Sequence, residues 1–586
     1  MLTFAPTVTS SLFRLLAYVF LQIIPSRLIR FAIPAFYATY LLATWLFPVP
    51  PPRAPNEKNK GVPARRPNPL ATLLLSLPTQ SRALTAANVL INTLLFAAVL
   101  DFAASPFFDT ANDLVFTRVG AVYPDSVKVV ARYPDHSALR VLYREVATEP
   151  WKDGPDLHLT PDSDWAATAR IDNLWPSTPY EYVLATANRT VLPSPAAPIP
   201  FRTAPDPRLH TAGSFRFVAS SCTVPNFPYR GPHHRRSIHG FDLLADYLAA
   251  NDTVPTEFML FLGDFIYADV PFYVGDDEEA YRRLYRRNYQ SPSYRRVYER
   301  LPVFHAYDDH EFIDNYAGNS ADPPPFGNGA AAYDVYAGSA NPDPLAPGAS
   351  YYAFAHGAAA FFVLDTRRYR AGPTPEGDGT MLGAAQLEAL EGWLNEVNET
   401  AAFKVVVSSV PLTELFTYDA KIDTWAAYPV EKARVLRALQ NVKGAVVISG
   451  DRHQFAAVEF APGTGRERVV EVSTSPLSMF YIPLVSGIER ATADAVEGVD
   501  GAQVPRERVL EYISRGNAKW SAFEVDTRDA ARPVMRVETV IDGVPAYHME
   551  IEGMPLRAPA AGLGALVSVN VRGLFDRVGL GPRRWF

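Results

Sequence analysis

One cysteine, Cys222, stands in 586 residues, so no disulfide can close within the chain. The compartment stays open, because an oxidising environment permits disulfides without requiring them. No long basic run occurs and the net charge is −7, which argues against nucleic acid as a partner. Neither a Gly-x-Ser-x-Gly elbow nor a Gly-x-x-x-x-Gly-Lys-Ser/Thr loop is present, so serine-hydrolase and nucleotide-triphosphatase readings lack their signatures. What remains is an ordinary globular composition, 48% hydrophobic and 20% charged. The length predicts roughly two to four domains.

The first hundred residues differ in character from the rest. Phe31 to Val49 carries no charge and approaches the ~20 residues a helix needs to cross a bilayer. Ala83 to Leu100 is a second run, interrupted by Asn88 and Asn92. Leu12 to Ile24 is shorter and contains Arg14, so spanning, interfacial and signal-anchor roles all remain open for it. Arg27 and Arg30 weigh against a third span. Residues 1–105 are thus expected to form a membrane anchor of two or three transmembrane helices, in contact with lipid. The Pro-rich stretch 53–82 carries Arg53, Lys58, Lys60, Arg65, Arg66 and Arg82 against Glu57, which places it in the cytosol. Everything after about residue 105 then lies on the lumenal or extracellular side. Three glycosylation acceptor tripeptides, beginning at Asn188, Asn251 and Asn398, fall on that side.

Residues 106–205 predict a small β-sandwich. Val127–Arg132 and Leu139–Tyr143 have strand character, and proline-rich turns break the segment at short intervals. Leu174, Pro176, Thr178, Tyr180 and Tyr182 form a pattern that resembles the tyrosine-corner strand of fibronectin III/Ig-like domains. A packing or positioning module is the expectation there.

Chemistry-bearing residues begin after Pro207. Phe215–Cys222 alternates as a strand and ends on the cysteine, which taken alone reads as a small buried apolar residue. Phe258–Phe-261 continues to Leu262, stops at Gly263, and releases Asp264 and Tyr267. Leu301–Asn315 ends in Asp308-Asp-His-Glu311, and Gly444–His453 ends in Gly450-Asp-Arg-His453. Four strands therefore each deliver Cys, Asp, His or Tyr at their C-terminal ends, where open α/β sheets hold ligands. Carboxylates and imidazoles suit hard or borderline divalent ions, and a thiolate with a phenolate suits trivalent iron.

Gly263-Asp264 with Tyr267, Asp308-Asp-His-Glu311 with Asn315, and Gly450-Asp-Arg-His453 together resemble the motifs of alkaline phosphatase D (PhoD-like) metallophosphatases, in the calcineurin-like metallophosphoesterase superfamily. Asp365-Thr-Arg-Arg-Tyr-Arg370 and Leu382-Gly-x-x-Gln-Leu387, followed by Trp393, are similar to the family's intervening stretch. The resemblance covers about residues 110–550. It implies an α/β, four-layer αββα metallophosphoesterase sandwich as the catalytic domain at 206–555, after the β-sandwich at 106–205 and the transmembrane helices, with a C-terminal tail at 556–586.

Carried over residue by residue, the resemblance implies that Asp264 bridges two metals. Cys222, Tyr267 and His453 would complete an Fe3+ site, and Asp309 and Asp451 would hold a second divalent cation. Calcium is the ion the resemblance implies there, and Mg2+ or Mn2+ would also suit carboxylates. The superfamily often takes a further His from the strand near 405–411, but here it reads Val-Val-Val-Ser-Ser-Val-Pro. One ligand is unassigned, and Asn315 is a weak candidate. The implied reaction is phosphoester hydrolysis by a two-metal activated hydroxide. His310, beside Asp309, is expected to protonate the leaving alkoxide. Arg367, Arg370 and Arg230 would neutralise phosphate or serve as salt-bridge partners, and Asp308 and Glu311 would orient ligands. Three functions stay open: a membrane-anchored phosphomonoesterase or phosphodiesterase, the same site acting on lipid-linked phosphoesters, and a non-catalytic scaffold. Oligomeric state is not legible.

Other features read more plainly. His233-His-Arg-Arg236 is a solvated loop, Asp276–Glu279 starts a helix, Tyr281–Tyr298 is a surface helix over the site, and Pro323–Pro347 is a long insertion loop. The tail from Ala558 either touches the membrane or packs on the domain.

Overall fold

In the computed structural model, the described residues are 4–48, 68–206 apart from 147 and 149, 213–250, 254–372 apart from 274, 378–481 apart from 464, 487–497 and 503–556. The basic residues 53–66, the acceptor at Asn251 and the tail from Ala558 lie outside them. The chain divides into two units, one holding residues 1–109, 226–235 and 270–273, the other holding the rest.

The first unit is helical. Ala5–Tyr18 continues through a wider turn, Val19–Ile23, and is followed by Ile29–Leu46, the short Pro69–Leu75 and the long Arg82–Phe108. Three of these, Ala5–Ile23, Ile29–Leu46 and Arg82–Phe108, are long and apolar enough to cross a membrane. The first run therefore joins the other two as a candidate, despite Arg14. Most large apolar side chains left exposed among the described residues belong to this unit, including Leu28, Phe31, Trp45 and Leu94. So large an exposed apolar surface is what a lipid-facing bundle presents. Its interior holds the polar residues that interrupt the sequence pattern. Arg14 donates to Asn92 Oδ1 at 2.6 Å, to Asn88 Oδ1 at 3.1 Å and to the carbonyls of Leu73 and Leu74 at 2.6 and 3.0 Å. Asn92 in turn donates to Ser10 at 2.8 Å. Each polar group satisfies another, as burial away from water requires.

The second unit begins with seven short strands. Phe116–Val122, Ser126–Arg132 and Ala166–Asp172 form one antiparallel sheet; Lys152–His158, Ala138–Glu145, Pro179–Ala185 and Ile199–Arg202 form another. Val129, Val141, Leu157, Ile171, Tyr182 and Phe201 share one buried cluster. The Tyr180 hydroxyl accepts from the Trp175 N–H at 3.0 Å, a bond back to the backbone a few residues upstream.

Two larger sheets follow. The six-stranded sheet runs in the order Val303–His305, Thr256–Phe261, Ser214–Ser220, Lys519–Asp526, Val534–Ile541, Val544–Glu552, its first three strands parallel. The seven-stranded sheet runs Tyr352–His356, Ala359–Val363, Phe403–Ser408, Ala445–Ser449, Val469–Thr474, Phe455–Phe460, Glu507–Ile513, the second to fifth parallel. These parallel strands are nearly continuous apolar runs because both faces are covered. Between the sheets, Phe217 stacks on Phe258 and Phe523 at 5.3 and 4.8 Å and meets Phe361 edge-on at 5.2 Å. On the far face of the seven-stranded sheet, Trp393, Leu394 and Leu439 from helices Gly383–Val397 and Pro429–Gln440 cover Phe362, Val406 and Val447. Helix His239–Ala250 contributes Phe241, whose ring lies 6.2 Å from Phe261 of the other sheet. The result is a mixed α/β fold.

Two expectations are corrected. Helices Glu278–Tyr289 and Pro292–Tyr298 are not a surface cover, since Tyr281, Tyr285, Tyr289, Tyr294 and Tyr298 are all fully buried. Their alternating Arg residues supply the reason: Arg286 pairs with Asp164 at 2.7 Å, and Asp164 also receives Arg132 at 2.9 Å, tying the helix to the small sheets. The stretch 323–347 contains a helix, Phe326–Tyr336, where glycines and prolines suggested a loop. Phe326 and Tyr333 pack against Phe312 and Tyr307 at 5.0 and 5.1 Å, and that burial overrides the low helix propensity of glycine.

Candidate metal centre

Every candidate ligand leaves the C-terminal end of a parallel strand. Ser214–Ser220 leads to Cys222, Thr256–Phe261 to Asp264 and Tyr267, Val303–His305 to Asp308, Asp309 and His310, and Ala445–Ser449 to Asp451 and His453. Cys222, Asp264, Asn315, Asp451 and His453 all have left-handed backbone conformations, with φ between 54° and 68°. Such residues are uncommon outside glycine and cluster where function holds a side chain in place. Two glycines make room. A Cβ on Gly263, itself at φ 113°, would sit 2.6 Å from Asp308 Cβ, and one on Gly450 would sit 2.5 Å from Ser221 Oγ.

These turns bring most of the expected residues together. Three groups have ligand atoms within 4.8 Å of one another: Cys222, Asp264 and His453; Asp264, Asp309 and His310; and Asp264, Asp308, Asp309 and Asp451. Asp264 belongs to all three. The Tyr267 hydroxyl donates to Asp264 Oδ2 at 2.9 Å and lies 3.0 Å from His453 Nε2, and Cys222 Sγ lies 3.4 Å from the same Asp264 oxygen. Asn315 is exposed, and its backbone N–H donates to Asp309 Oδ2 at 2.5 Å. With its amide nitrogen turned toward Asp423, it donates to both carboxylate oxygens at 3.0 and 3.1 Å.

Charge makes the case for cations. Burial pushes the carboxyl groups of Asp264 and Asp451 well above the usual range, and neighbouring carboxylates push the same way. Burial also raises the Cys222 thiol and the Tyr267 phenol, with Asp264 adding to both. At His453 it disfavours the protonated ring. Asp309 goes the other way: burial would raise it, but Arg367, His310 and the Asn315 N–H together hold it low. Asp264 Oδ1, Asp309 Oδ1 and Asp451 Oδ2 are buried without a hydrogen-bond partner. Buried acceptors within one cluster, beside a thiol, a phenol and an imidazole, fit bound metal cations. Glu311 is tied to the backbone, accepting from the N–H groups of Asp264, Phe265 and Asp308 at 2.9, 2.6 and 2.7 Å, so it orients the loops.

The arginines differ in placement. Arg367 is fully buried; it pairs with Asp308, with Asp423 at 2.7 Å and with Asp309 at 3.4 Å. Arg370 is nearly as buried and pairs with Asp423 at 2.6 Å. Arg230 lies in 226–235, part of the helical unit. In the stretch 405–411, which has no His, Ser409 donates to Asp308 Oδ1 at 2.6 Å.

Two participants escaped the sequence reading. Asp269, 2% exposed, lies 2.7 Å from His310 Nδ1. An ionised carboxylate can only accept, so Nδ1 carries a proton toward Asp269, while Nε2 lies 3.9 Å from Asp314 Oδ1. The same imidazole stacks on Tyr267 with centroids 4.2 Å apart. Asp269 ends the very segment that carries Asp264, which was signal enough. Asp423 joins the arginines from 56 residues beyond Arg367, in a stretch with no motif, and nothing in the sequence marked it.

Comparison with known proteins gives the same direction. The family model described as PhoD-like phosphatase matches residues 231–524. A solved structure described as that of PhoD is similar with a TM-score of 0.54 at 17% identity, covering 78% of this chain and 94% of its own. The purple acid phosphatase PPD1 from yellow lupin (Lupinus luteus) seeds is similar with a TM-score of 0.52 at 12% identity, over 74% of each chain. At these identities the likeness is one of fold. No curated protein matches the chain.

Proposed function

The chain belongs to the PhoD-like phosphatase family and is a phosphoester hydrolase, and from that premise we propose that it is a membrane-anchored one whose chemistry runs on a two-cation centre. The observation that carries this reading is the position of Asp264 in all three ligand groups, as a bridging carboxylate would be. Cys222, Tyr267 and His453 would hold one ion, and their thiolate and phenolate favour Fe3+. Asp309 and Asp451, with Asn315 as an adjunct, would hold a second divalent cation, Ca2+ by the resemblance and Mg2+ or Mn2+ by the same oxygen chemistry. When bound, such a pair lowers the pKa of water toward ~7 and neutralises charge on the phosphoryl group. His310 would supply the proton for the departing alkoxide from Nε2 as the imidazolium, whose Nδ1–H the Asp269 carboxylate accepts. Of the two readings open for Arg367, its burial between Asp308, Asp309 and Asp423 supports the salt-bridge one, in which it fixes the carboxylates. The two sheets with helices outside them support a four-layer metallophosphoesterase domain, and the seven strands before it, with the Tyr180 bond, support a fibronectin III/Ig-like module.

Three apolar helices support membrane anchoring. With three spans, the basic loop 53–82 in the cytosol puts residues 24–28 and everything after Phe108 on the opposite side, the lumenal or extracellular one. Asn188, on that side, is exposed, as a glycan acceptor must be.

Purified protein assayed on 4-nitrophenyl phosphate and its bis-ester, with metal analysis, tests the reading. Turnover that chelator abolishes, with iron and a second divalent metal bound, is expected. Asp264→Asn should lose both metals and at least about 10³ in rate. Full activity in that variant, or in metal-stripped protein, would overturn the reading.

A further inference from the structure

The helical unit is more than the first 109 residues. It also contains Asn226–Arg235 and Val270–Tyr273, two loops from the catalytic stretch, which follow Cys222 by four residues and Tyr267 by three. A tether for a soluble-substrate enzyme needs only the covalent link after Phe108. Here both loops are built into the bundle. The Tyr229 N–H donates to Leu21 O at 2.9 Å, Gln22 Nε2 donates to Tyr229 O at 2.8 Å, and the Tyr229 hydroxyl donates to Asp101 at 2.9 Å. Arg235 pairs with the same Asp101. Phe102 packs on Phe227 and Tyr229 with centroids 6.1 and 6.2 Å away. Arg30 donates to Pro271 O at 2.6 Å and lies 4.8 Å from the Phe272 ring.

These contacts all fall at one end of the helices, around residues 21–30 and 101–102. It is the end that the positive-inside rule sets opposite the cytosol. The loops are also chemically biased. Asn226–Arg235 carries Arg230, His233, His234 and Arg235 with no carboxylate, and Val270–Tyr273 carries no charge. Arg30 adds a guanidinium with no carboxylate partner among the described residues, its Nε buried and without a hydrogen bond. Cations and aromatic rings at the end of a lipid-facing bundle suit the headgroup layer, where phosphate and acyl chain meet.

Resting on the phosphoesterase reading, we propose that the substrate of the metal centre is a phosphoester carried by a membrane lipid. In the reaction, water oxygen bonds to phosphorus, the phosphorus–oxygen bond to the leaving alcohol breaks, and that alcohol departs with a proton. The arrangement admits either ester of the lipid phosphate; what it specifies is a substrate held in the bilayer.

The test uses the full chain reconstituted with its metals in phosphatidylcholine vesicles. Phosphatidic acid and phosphatidylglycerol in those vesicles are compared with their soluble counterparts, glycerol 3-phosphate and glycerophosphoglycerol. Confinement of enzyme and substrate to one surface should raise kcat/KM for at least one lipid by about tenfold or more over its counterpart. Soluble counterparts turned over as well as the lipids would overturn the proposal while leaving the phosphoesterase reading intact. Absence of turnover on nitrophenyl esters too would sink both. Asp101→Ala, which frees Tyr229 and Arg235, should lower the lipid rate by about tenfold and the nitrophenyl phosphate rate by less than about twofold, with Asp101→Glu restoring part of the lipid rate. Equal losses on both substrates would mean that the loops only scaffold the metal ligands, and would overturn the proposal. The lipid-to-soluble ratio of the unaltered protein decides the matter even where a variant fails to fold.

Discussion

Arg367 shows how one buried side chain separates two readings of a motif. A guanidinium that bound substrate would need a free face, whereas this one has none and is shared among three carboxylates. Arg367→Ala should therefore destabilise the protein by about 3–5 kcal/mol, because it leaves buried acids unpaired. Lysine should not rescue it, lacking the planar fork that reaches Asp308 and Asp423 together. Denaturant unfolding of both variants checks this; an unchanged midpoint with a raised KM would return Arg367 to the substrate. The sequence showed the chemistry-bearing residues but not their wiring. Cys222, Asp264, Asp309, Asp451 and His453 were legible because each ends an apolar run. Asp423 was not, because its partners are distant in sequence and its own surroundings are ordinary.

At the level of elements, strands were the legible part and helices less so. Continuous apolar runs such as Ala359–Val363 and Ala445–Ser449 announce parallel strands covered on both faces. Phe326–Tyr336 hid its helical character behind two glycines, since only tertiary contacts to Phe312 and Tyr307 reward it. The turns between strand and ligand are where the backbone is least forgiving. Gly263→Ala would put a methyl 2.6 Å from Asp308 Cβ at a φ of 113°. It should cost about 1–3 kcal/mol and weaken metal retention. Gly327→Ala, with nothing within 4 Å of the added atom, should be neutral or gain up to about 1 kcal/mol. Thermal melts with metal analysis on the pair would expose the claim as wrong were the two to behave alike.

For the whole molecule, the inter-sheet core carries a pH dependence of its own. His356 is buried beside Phe215 and Phe258, with ring centroids 4.5 and 5.5 Å away, and burial lowers its pKa from 6.5 to about 4. The unfolded chain therefore binds the proton first as pH falls. The neutral ring contributes stability in full above about pH 6.5, and that contribution drains away toward pH 4, by an amount on the order of 3 kcal/mol. His356→Phe should flatten the acid side of the stability profile by that much; identical slopes for the two proteins would refute it. The three helices long and apolar enough to cross a membrane were legible as apolar runs, but their count was not. Arg14 left the role of the first run open, and Asn88 and Asn92 weakened the last. In the structure these residues hydrogen-bond to one another.

That pairing also sets an order of events. Arg14 is synthesised 74 residues before Asn88 and 78 before Asn92. While the first helix is young its guanidinium has no amide to meet, and the last helix later brings two amides that want a donor. The bundle is thus closed by its final helix: a chain cut short before Asn88 would keep the Leu73 and Leu74 carbonyls for Arg14 Nη1 but leave Nε and Nη2 without the two amide oxygens they meet.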